Sequence, residues 1–278
     1  MSWRTAAKKD TPAVLRFLLR EEALCVPFTS RIRAGARGCE IFFDADEGGV
    51  VTDCALFTVG GLLLPVFSVP PAHRGELARL LSRLRPAVHS VMGISRCVEE
   101  AEALVPIPPT RRIEYFLMTL KKENARRLWT PPPGPGLRAR RAGPPDAAAL
   151  FPLQEAYEKE EVLIDPAHFN AGQCMKSLAQ GLSDELVYVL EKDGRPVAKA
   201  GTNARGFTVD QIGGVYTVPA KRGKSFARIV MVALLREIFR EKTGASLFVK
   251  KKNRPAISLY NGLGFQPVNE YTISYYGL

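Results

Sequence analysis

The segment Gln211-Ile-Gly-Gly-Val-Tyr-Thr-Val-Pro-Ala-Lys-Arg-Gly-Lys-Ser-Phe-Ala227 contains the clearest structural signal in the C-terminal half of this chain. Its first part is rich in Ile, Val and Tyr and predicts a strand that ends at Thr217. Pro219 then turns the chain into a loop of small and basic residues, and this loop opens a long apolar helix predicted from Gly223 to Glu241. A strand, a small-residue loop and a helix in this order form a local structure that can bind anions at the helix N-terminus.

The predicted anion site is the start of this helix, from Arg222 to Ala227. The first amides of a helix lack intrahelical acceptors and the helix dipole adds partial positive charge, so the backbone alone can bind a pyrophosphate. Gly223 and Ser225 are small enough to let phosphate groups approach the main chain, and Lys224 adds electrostatic attraction. An ordinary capped surface helix shows the same residue types, so the loop taken alone leaves both interpretations open.

A second motif follows the long helix and reads Asn253-Arg-Pro-Ala-Ile-Ser-Leu-Tyr-Asn-Gly-Leu-Gly-Phe265. Together the two motifs resemble the GNAT superfamily of acetyl-coenzyme A-dependent N-acetyltransferases, over residues 137 to 276. In the first motif, from Arg222 to Ala227, this sequence departs from the family's cofactor-binding pattern at one place, because Ser225 stands where the family has glycine. This departure implies weaker or slightly displaced cofactor binding. The second family pattern matches without a gap at Asn253, Ala256, Tyr260, Gly264 and Phe265.

The resemblance implies an α/β fold with a mixed α+β sheet, in which a mostly antiparallel sheet is flanked by helices. It also implies acetyl-coenzyme A (acetyl-CoA) as the cosubstrate, with no metal. The end of the strand would pair its backbone with the pantetheine arm like an added strand, and Gly213-Gly214 would form a bulge that makes room for the arm. The residues implied to bind the cofactor are Val215, Tyr216, Thr217, Arg222, Gly223, Lys224, Ser225, Phe226, Ala227 and Asn253.

The resemblance places one catalytic group at Tyr260, as the general acid that protonates the departing thiolate. A phenol and a thiol have similar ordinary pKa values, so this proton transfer is easy in a shared environment. An amine nucleophile must also lose a proton, so we expect a carboxylate nearby. The candidates are Glu158, Glu160 and Glu161 after the first helix of this half, among which the adjacent pair Glu160-Glu161 is favoured, and Asp210 on the strand that leads to the cofactor. A solvated helix end explains the glutamates equally well, and a turn explains Asp210.

Punctuation in the sequence predicts two domains. Residues 130–136, Thr-Pro-Pro-Pro-Gly-Pro-Gly, cannot continue a helix or a central strand and predict a stiff linker. The N-terminal domain then covers residues 1–129, and the GNAT domain covers residues 137–278. In the second domain the pattern predicts a strand, two helices, a meander of three strands, and then helix, strand, helix and strand.

The N-terminal half shows nearly the same order of predicted elements, beginning with a helix from Thr11 to Leu24. The letters from Val66 to Ala78 also align with those from Val215 to Ala227, with one gap on each side of Arg74-Gly75. We therefore predict tandem GNAT-like domains. The N-terminal copy is predicted to be degenerate, because Glu76 would repel phosphate at the helix start and no counterpart of the second motif follows.

Composition leaves the partner open but narrows the cellular context. A formal net charge of +11 favours anionic partners, which include phosphates, nucleic acid and acidic lipid. Five cysteines at irregular spacing, without a C-x-x-C pair, argue against a disulfide framework and against a zinc site. The most apolar stretch, residues 54–71, is interrupted by Gly and Pro, and no signal peptide is recognisable. We expect a cytoplasmic protein with no membrane partner.

The function predicted from these observations is acetyl transfer from acetyl-CoA to an amine, by direct attack in a ternary complex. The acceptor stays open between a small molecule and a peptide or protein amine. One alternative is a sensor that binds acyl-CoA without turnover, which needs only the backbone site. A second alternative is a nucleic-acid-linked protein, supported by basic clusters such as residues 121–127 and 250–252, although these clusters lack interleaved aromatic residues.

Overall fold

The structure is a computed structural model, and it describes residues 3–68, 70–71, 73–84, 87–128 and 134–277. Its strands are β1 (Arg4–Thr5), β2 (Cys39–Ala45), β3 (Val51–Thr58), β4 (Leu62–Val66), β5 (Ser90–Ile94), β6 (Arg111–Lys121), β7 (Leu137–Ala142), β8 (Val187–Lys192), β9 (Arg195–Arg205), β10 (Val209–Thr217), β11 (Gly244–Lys250) and β12 (Gln266–Tyr275). Its helices are α1 (Thr11–Leu18), α2 (Val26–Arg33), α3 (Arg74–Ser82), α4 (Ser95–Glu102), α5 (Ala147–Tyr157), α6 (Ala171–Asp184), α7 (Phe226–Glu241) and α8 (Arg254–Leu263). In the part of the chain that is described, no helix is both long and apolar enough to cross a lipid bilayer.

The chain divides into two compact units. The first unit comprises Met1–Met118, Phe248–Arg254 and Pro267–Leu278, and the second comprises Thr119–Leu247 and Pro255–Gln266. Two short segments near the C-terminus therefore belong to the first unit. Most of the predicted linker, residues 130–133, lies outside the described residues, so the predicted boundaries at 129 and 137 stay a prediction.

The first unit is built on a sheet with strand order β1-β2-β3-β4-β5-β12-β6. Strands β2, β3 and β4 form an antiparallel meander, and β12 pairs antiparallel with β5 from Tyr271↔Ile94 to Tyr275↔Ser90. Two apolar clusters form its core, one containing Leu63, Leu77 and Tyr271 and the other containing Val14 and Phe28. The C-terminal strand of the chain thus stabilises a sheet made mainly by the N-terminal half.

The second unit contains the predicted meander. Strands β7, β8, β9 and β10 pair antiparallel with their neighbours, and β10 pairs parallel with β11. Helix α7 buries Val230, Met231, Leu234, Leu235 and Ile238, each at most 1% exposed, so its apolar stripe forms a large part of the core. The element order agrees with the order that the sequence pattern predicts.

Strand β10 is irregular where the sequence has its glycine pair. The register with β9 slips between Gly213↔Gly201 and Tyr216↔Lys199, so one extra residue on β10 bulges out of the ladder. The parallel register with β11 runs from Val209↔Gly244 to Ile212↔Leu247, while β10 continues to Thr217. The predicted bulge is therefore present.

Two predicted helix limits were wrong. The helix predicted over 11–24 is an α-helix only to Leu18; Leu19–Leu24 continue as a 3-10 helix that is interrupted at Glu21, with φ −139°, before α2 begins at Val26. The helix predicted from Gly223 begins at Phe226 instead, because Gly223 and Ser225 both have left-handed backbones, with φ of 75° and 59°.

The strand, loop and helix arrangement occurs in both units. His73, with φ 50°, is the left-handed residue directly before α3, as Ser225 is before α7. This pairing shifts the alignment of Arg74-Gly75 with Arg222-Gly223, because Gly75 lies inside α3 whereas Gly223 precedes α7. The repeat is thus clearer in backbone conformation than in the letters of the sequence.

Candidate active site

The loop between β10 and α7 has a backbone shaped for an anion. Pro219–Lys221 forms a short helical turn, and the guanidinium Nε of Arg222 donates to the Thr217 carbonyl oxygen at 3.1 Å. After it, Gly223 and Ser225 have left-handed backbones, whereas Arg222 directly before Gly223 is extended, with φ −65° and ψ 162°. Helix α7 begins directly after Ser225, so the donors nearest to this loop are the amides of the first turn of α7.

The same loop is open to solvent. Residues 222–225 are exposed, and a methyl group added to the Cα of Gly223 would meet no atom of the described residues within 4 Å. Phe226, by contrast, is buried and anchors the start of α7, so only its backbone faces the loop. The loop therefore combines accessible amides, the positive end of a helix dipole and two exposed basic side chains, Arg222 and Lys224.

One carboxylate joins this loop to the end of β10. The Glu160 carboxylate oxygen Oε2 accepts a hydrogen bond from the Tyr216 hydroxyl at 2.9 Å and another from Arg222 Nη2 at 2.8 Å. The Arg222 guanidinium also lies over the Tyr216 ring, 5.4 Å from its centroid. Burial raises the pKa of Tyr216, and the hydrogen bond to Glu160 raises it further. Two predicted cofactor-binding residues and one predicted base are thus in contact.

Glu160 is positioned by a wide helical turn. Residues Glu158–Val162 extend α5 as a single π turn, closed by the Leu163 N–H donating to the Glu158 carbonyl oxygen at 2.8 Å. Such turns are rare and occur often at functional sites. The turn directs its glutamates differently, because Glu160 reaches Arg222 while the charge of Glu161 acts on Tyr157 and Tyr260.

Tyr260 lies on α8 and is 7% exposed. Burial raises the pKa of its hydroxyl well above the ordinary range, and the charges of Tyr157 and Glu161 act in the same direction. Its ring centroid is 6.0 Å from that of Phe265, so it also packs against the aromatic residue of its own motif. A phenol with a raised pKa stays protonated at neutral pH and can serve as a proton donor.

The bulge on β10 is accessible although the strand around it is buried. Residues 213–215 are half-buried, whereas the residues on both sides, Ile212 and Tyr216, are 3% and 5% exposed. Behind the bulge, the ammonium group of Lys199 donates to the Gly214 carbonyl oxygen at 3.1 Å. Beyond Ile212 the strand no longer pairs with β11, so backbone groups on that side of β10 can be reached by a ligand, whereas the Gly214 carbonyl is already bonded to Lys199.

One predicted site residue, Asp210, lies away from Glu160, Tyr216 and Arg222. Asp210 is fully buried near the start of β10, about 20 Å along the strand from Tyr216 at 3.3 Å per residue, and its carboxylate pairs with Arg205 at 3.3 Å and Lys242 at 3.7 Å. The structure therefore does not bring Asp210 into contact with Glu160, Tyr216 or Arg222. Asn253 precedes α8 and belongs to the first unit, where its N–H donates to the Lys250 carbonyl oxygen at 2.8 Å.

Sequence reasoning missed Tyr157 and Lys199. Lys199 stands in the run Val197-Ala-Lys-Ala-Gly201, and a single lysine in an apolar strand signals a buried charge that needs partners. Tyr157 offers a weaker signal, because an aromatic residue at a helix end usually belongs to the core. Neither position is part of the two motifs quoted above.

Similarity to known proteins agrees with this geometry. Residues 151–265 match the sequence profile of the Acetyltransferase (GNAT) family. This segment is a GNAT domain. Membership of the family supports a general role as an acetyl-CoA-dependent acetyltransferase. No curated protein sequence matches the chain significantly.

Solved structures extend the likeness to the whole chain. A Drosophila protein from structural genomics has a TM-score of 0.73 at 14% identity, covering 99% of this chain and 98% of its own. A tandem GNAT protein from the clavulanic acid biosynthesis pathway has a TM-score of 0.60 at 13% identity, with 98% and 97% covered. A GNAT-family acetyltransferase from Colwellia psychrerythraea has a TM-score of 0.59 at 12% identity and full coverage of both chains. The prediction of a tandem GNAT fold is confirmed.

Proposed function

We propose that the GNAT domain transfers an acetyl group from acetyl-CoA to a primary amine by direct attack in a ternary complex. The observation that carries this proposal is the accessible bulge of β10, which leads within a few residues into the left-handed loop at the start of α7. The bulge can pair with an extended arm, and the loop can bind its phosphate end. An arm that ends in a pyrophosphate is the shape of coenzyme A.

In this proposal the cofactor is bound mainly by backbone groups. The pyrophosphate lies on the amides of Gly223, Lys224, Ser225, Phe226 and Ala227, with Arg222 adding charge, and the pantetheine arm lies along Val215, Tyr216 and Thr217. Asn253 is retained as a predicted cofactor contact. Backbone recognition explains why Ser225 can replace the family's glycine, because it already adopts the left-handed conformation.

The reaction needs the acceptor nitrogen to lose two protons and the thiolate to gain one. The acceptor ammonium group first gives a proton to Glu160 or Glu161, directly or through water, and the neutral nitrogen attacks the thioester carbonyl carbon. The tetrahedral intermediate then collapses: the carbon–sulfur bond breaks, the thiolate takes a proton from Tyr260, and the second proton of the nitrogen is released and restores the Tyr260 hydroxyl. Both carboxylates are candidates for the base: the charge of Glu161 acts on Tyr260, and Glu160 accepts from the Tyr216 hydroxyl and would be released from Arg222 when the pyrophosphate binds.

The N-terminal domain, residues 1–129, is proposed to be a copy that has lost cofactor binding, beside a GNAT domain over residues 137–278. Glu76 in the first turn of α3 accepts a hydrogen bond from the Trp3 N–H at 3.1 Å. A carboxylate at this position uses the favourable end of the helix dipole for itself. A pyrophosphate would meet negative charge there instead of free amides.

Calorimetric titration with acetyl-CoA and with coenzyme A tests the cofactor site. The variants Gly223→Asp and Gly223→Asn form a matched pair, because both side chains tolerate the left-handed backbone and only aspartate adds charge. We expect wild-type protein to bind, Gly223→Asn to bind somewhat less well, and Gly223→Asp to lose at least tenfold more affinity. Equal affinity of the two variants for coenzyme A would show that its phosphate groups do not bind at this loop. Failure of the wild type to bind, with salt-sensitive binding to nucleic acid, would favour the basic surface instead.

Release of coenzyme A in the presence of spermidine, glycine or a short peptide with a free N-terminus tests turnover. Tyr260→Phe is expected to lower kcat by about 100-fold, the effect of removing one general acid, and to leave the Kd of acetyl-CoA unchanged. Tyr188→Phe is the control, because the Tyr188 hydroxyl lies 3.4 Å from the Glu237 carboxylate and Tyr188 is not one of the predicted site residues. Binding of acetyl-CoA without coenzyme A release with any acceptor would favour a sensor.

A further inference from the structure

Lys199 is a buried cation behind the bulge of β10. The whole residue is 5% exposed, and its ammonium Nζ lies 3.1 Å from the Gly214 carbonyl oxygen. The same Nζ lies 4.7 Å from the centroid of the Tyr157 ring, which stabilises the cation from a second side. An ammonium group buried in this way costs solvation free energy, so its position needs an explanation beyond packing.

Gly214 is the residue that this arrangement holds. Its φ is 61°, a conformation that glycine adopts without strain. The Tyr157 hydroxyl is hydrogen-bonded to the backbone of Gly214, and this bond lowers the pKa of Tyr157 against the larger effect of burial. Two side chains, Lys199 and Tyr157, thus hold the backbone of one bulge residue.

The peptide bond after Gly214 then has a fixed direction. In a planar trans peptide the C=O and the following N–H point in opposite directions. Because the Gly214 carbonyl points inward to Lys199, the Val215 N–H points away from Lys199. Val215 is half-buried, in the accessible part of the bulge. This amide is therefore oriented toward the open side of β10, where the proposed cofactor arm lies.

Other charged and titratable groups face Lys199 from the neighbouring elements. Glu158 from the π turn favours its charged form, and Cys174 from α6 acts in the same direction when ionised. Glu158 also hydrogen-bonds with the Cys174 thiol and accepts from the Gln154 amide at 3.0 Å. Burial outweighs these effects and lowers the pKa of Lys199 to about 8. The group therefore titrates close to physiological pH.

We propose that Lys199 is a positioning residue for acyl transfer: by fixing the Gly214 carbonyl, it aims the Val215 N–H at the thioester carbonyl oxygen of acetyl-CoA. This inference rests on the proposed function. As the thioester is attacked, its oxygen gains negative charge, and an amide already aimed at it stabilises that charge without further reorganisation. Lys199 itself contacts neither substrate nor cofactor.

A pair of ligands isolates the thioester oxygen. S-ethyl-coenzyme A is a thioether that resembles acetyl-CoA but lacks the carbonyl oxygen, so the ratio of the two Kd values reports the hydrogen bond to that oxygen. In Lys199→Met we expect the preference for acetyl-CoA to fall about fivefold, the value of one ordinary hydrogen bond, while the Kd of S-ethyl-coenzyme A stays within twofold. The control Lys176→Met removes an exposed lysine on α6 and should change neither value.

A second measurement observes the peptide bond directly and needs no variant. The sequence contains two Gly-Val pairs, Gly49-Val50 and Gly214-Val215. Protein labelled with carbonyl-¹³C glycine and ¹⁵N valine therefore gives two carbonyl–amide correlations in an NMR spectrum. We expect the Gly214-Val215 signal to titrate with a midpoint near pH 8, and to shift when acetyl-CoA is added. The Gly49-Val50 signal is the internal control.

The outcomes separate this inference from the proposed function. If acetyl-CoA does not bind, the proposed function fails, and the role of Lys199 fails with it. If acetyl-CoA binds but Lys199→Met keeps the full preference over S-ethyl-coenzyme A, the inference alone is overturned. If Lys199→Met does not fold, the wild-type NMR titration decides, and a Gly214-Val215 signal that ignores both pH and acetyl-CoA overturns the inference.

Discussion

Arg222 donates a hydrogen bond to Glu160, with Nη2 2.8 Å from Oε2, although Arg222 is the arginine of the predicted pyrophosphate loop. Both side chains are nearly half exposed, at 46% and 40%, so the pair contributes at most about 1 kcal/mol. A pyrophosphate carries more negative charge than one carboxylate. Cofactor binding is therefore expected to take Arg222 from Glu160 and leave Glu160 with Tyr216.

Replacement of Glu160 by glutamine tests this competition. Without the carboxylate, Arg222 has no charged partner to give up, so we expect coenzyme A to bind about two- to fivefold more tightly to Glu160→Gln. Calorimetric titration at low salt measures the change. Glu155→Gln is the matched control, because Glu155 lies one turn earlier and pairs with Lys159 at 2.6 Å. Unchanged or weaker binding by Glu160→Gln would contradict the competition.

Asp210 is expected to act on stability and not on cofactor binding. It is fully buried between Arg205 and Lys242, and the Lys242 ammonium also donates to the Gly206 carbonyl oxygen at 2.7 Å. Asp210→Asn leaves Lys242 as a buried cation without its counter-charge, so we expect the free energy of unfolding in urea to fall by about 3 kcal/mol. The Kd of coenzyme A should stay the same.

The control for this prediction uses the exposed partner of the same arginine. Glu241 is 70% exposed and lies 3.4 Å from Arg205, so Glu241→Gln should cost less than about 1 kcal/mol. A loss of coenzyme A binding in folded Asp210→Asn would return Asp210 to the active site.

The order of elements could be read from the sequence, because apolar periodicity and turn residues act locally. The meander, the long helix and the position of the bulge all follow from residues within a few positions of each other, as with Gly213-Gly214. The start of α7 was misplaced by three residues for a similarly local reason. The left-handed conformation of Ser225 is uncommon for residues other than glycine, so the sequence does not predict it.

The side-chain contacts within the site could not be predicted from the sequence, because they join residues that are far apart in the chain. Lys199 reaches Gly214 across a strand pair whose register is shifted by the bulge, and Glu160 reaches Tyr216 from a π turn that no residue pattern predicts. The pairing of β12 with β5 could not be predicted either, because the residues of a strand do not specify which strand lies beside it. Motif residues such as Tyr260 were found through family resemblance, and their supporting residues were not.

Alanine at Gly214 should be more harmful than alanine at another left-handed glycine. A side chain at Gly214 meets an unfavourable φ of 61° and places its Cβ 3.1 Å from the Lys199 ammonium nitrogen. Gly194, in the hairpin between β8 and β9, has φ 76°, and an added Cβ would lie more than 4 Å from every atom in the described part of the chain. We expect Gly194→Ala to lower the free energy of unfolding by about 1 kcal/mol and Gly214→Ala by about 2 kcal/mol.

Urea unfolding of the two alanine variants measures the difference, and titration with acetyl-CoA shows whether the bulge still binds. Gly214→Ala should weaken acetyl-CoA binding, because the displaced ammonium group no longer holds the Gly214 carbonyl. Equal stability losses in the two variants, with binding intact in both, would show that the contact with Lys199 does not constrain the bulge.

Lys199 should also make stability depend on pH in a defined direction. Burial lowers its pKa from 10.5 to about 8, so between these values the unfolded chain binds more protons than the folded protein. The free energy of unfolding therefore rises with pH in this window, by about 1 kcal/mol between pH 7 and pH 9. Lys199→Met does not titrate, so the stability difference between wild type and variant should shift toward the wild type by that amount. Urea unfolding at both pH values measures it, and because other titrating groups are common to the two proteins, their contributions largely cancel. A difference that stays constant would mean that Lys199 keeps an ordinary pKa in the folded protein and is solvated far better than its position behind Gly214 implies.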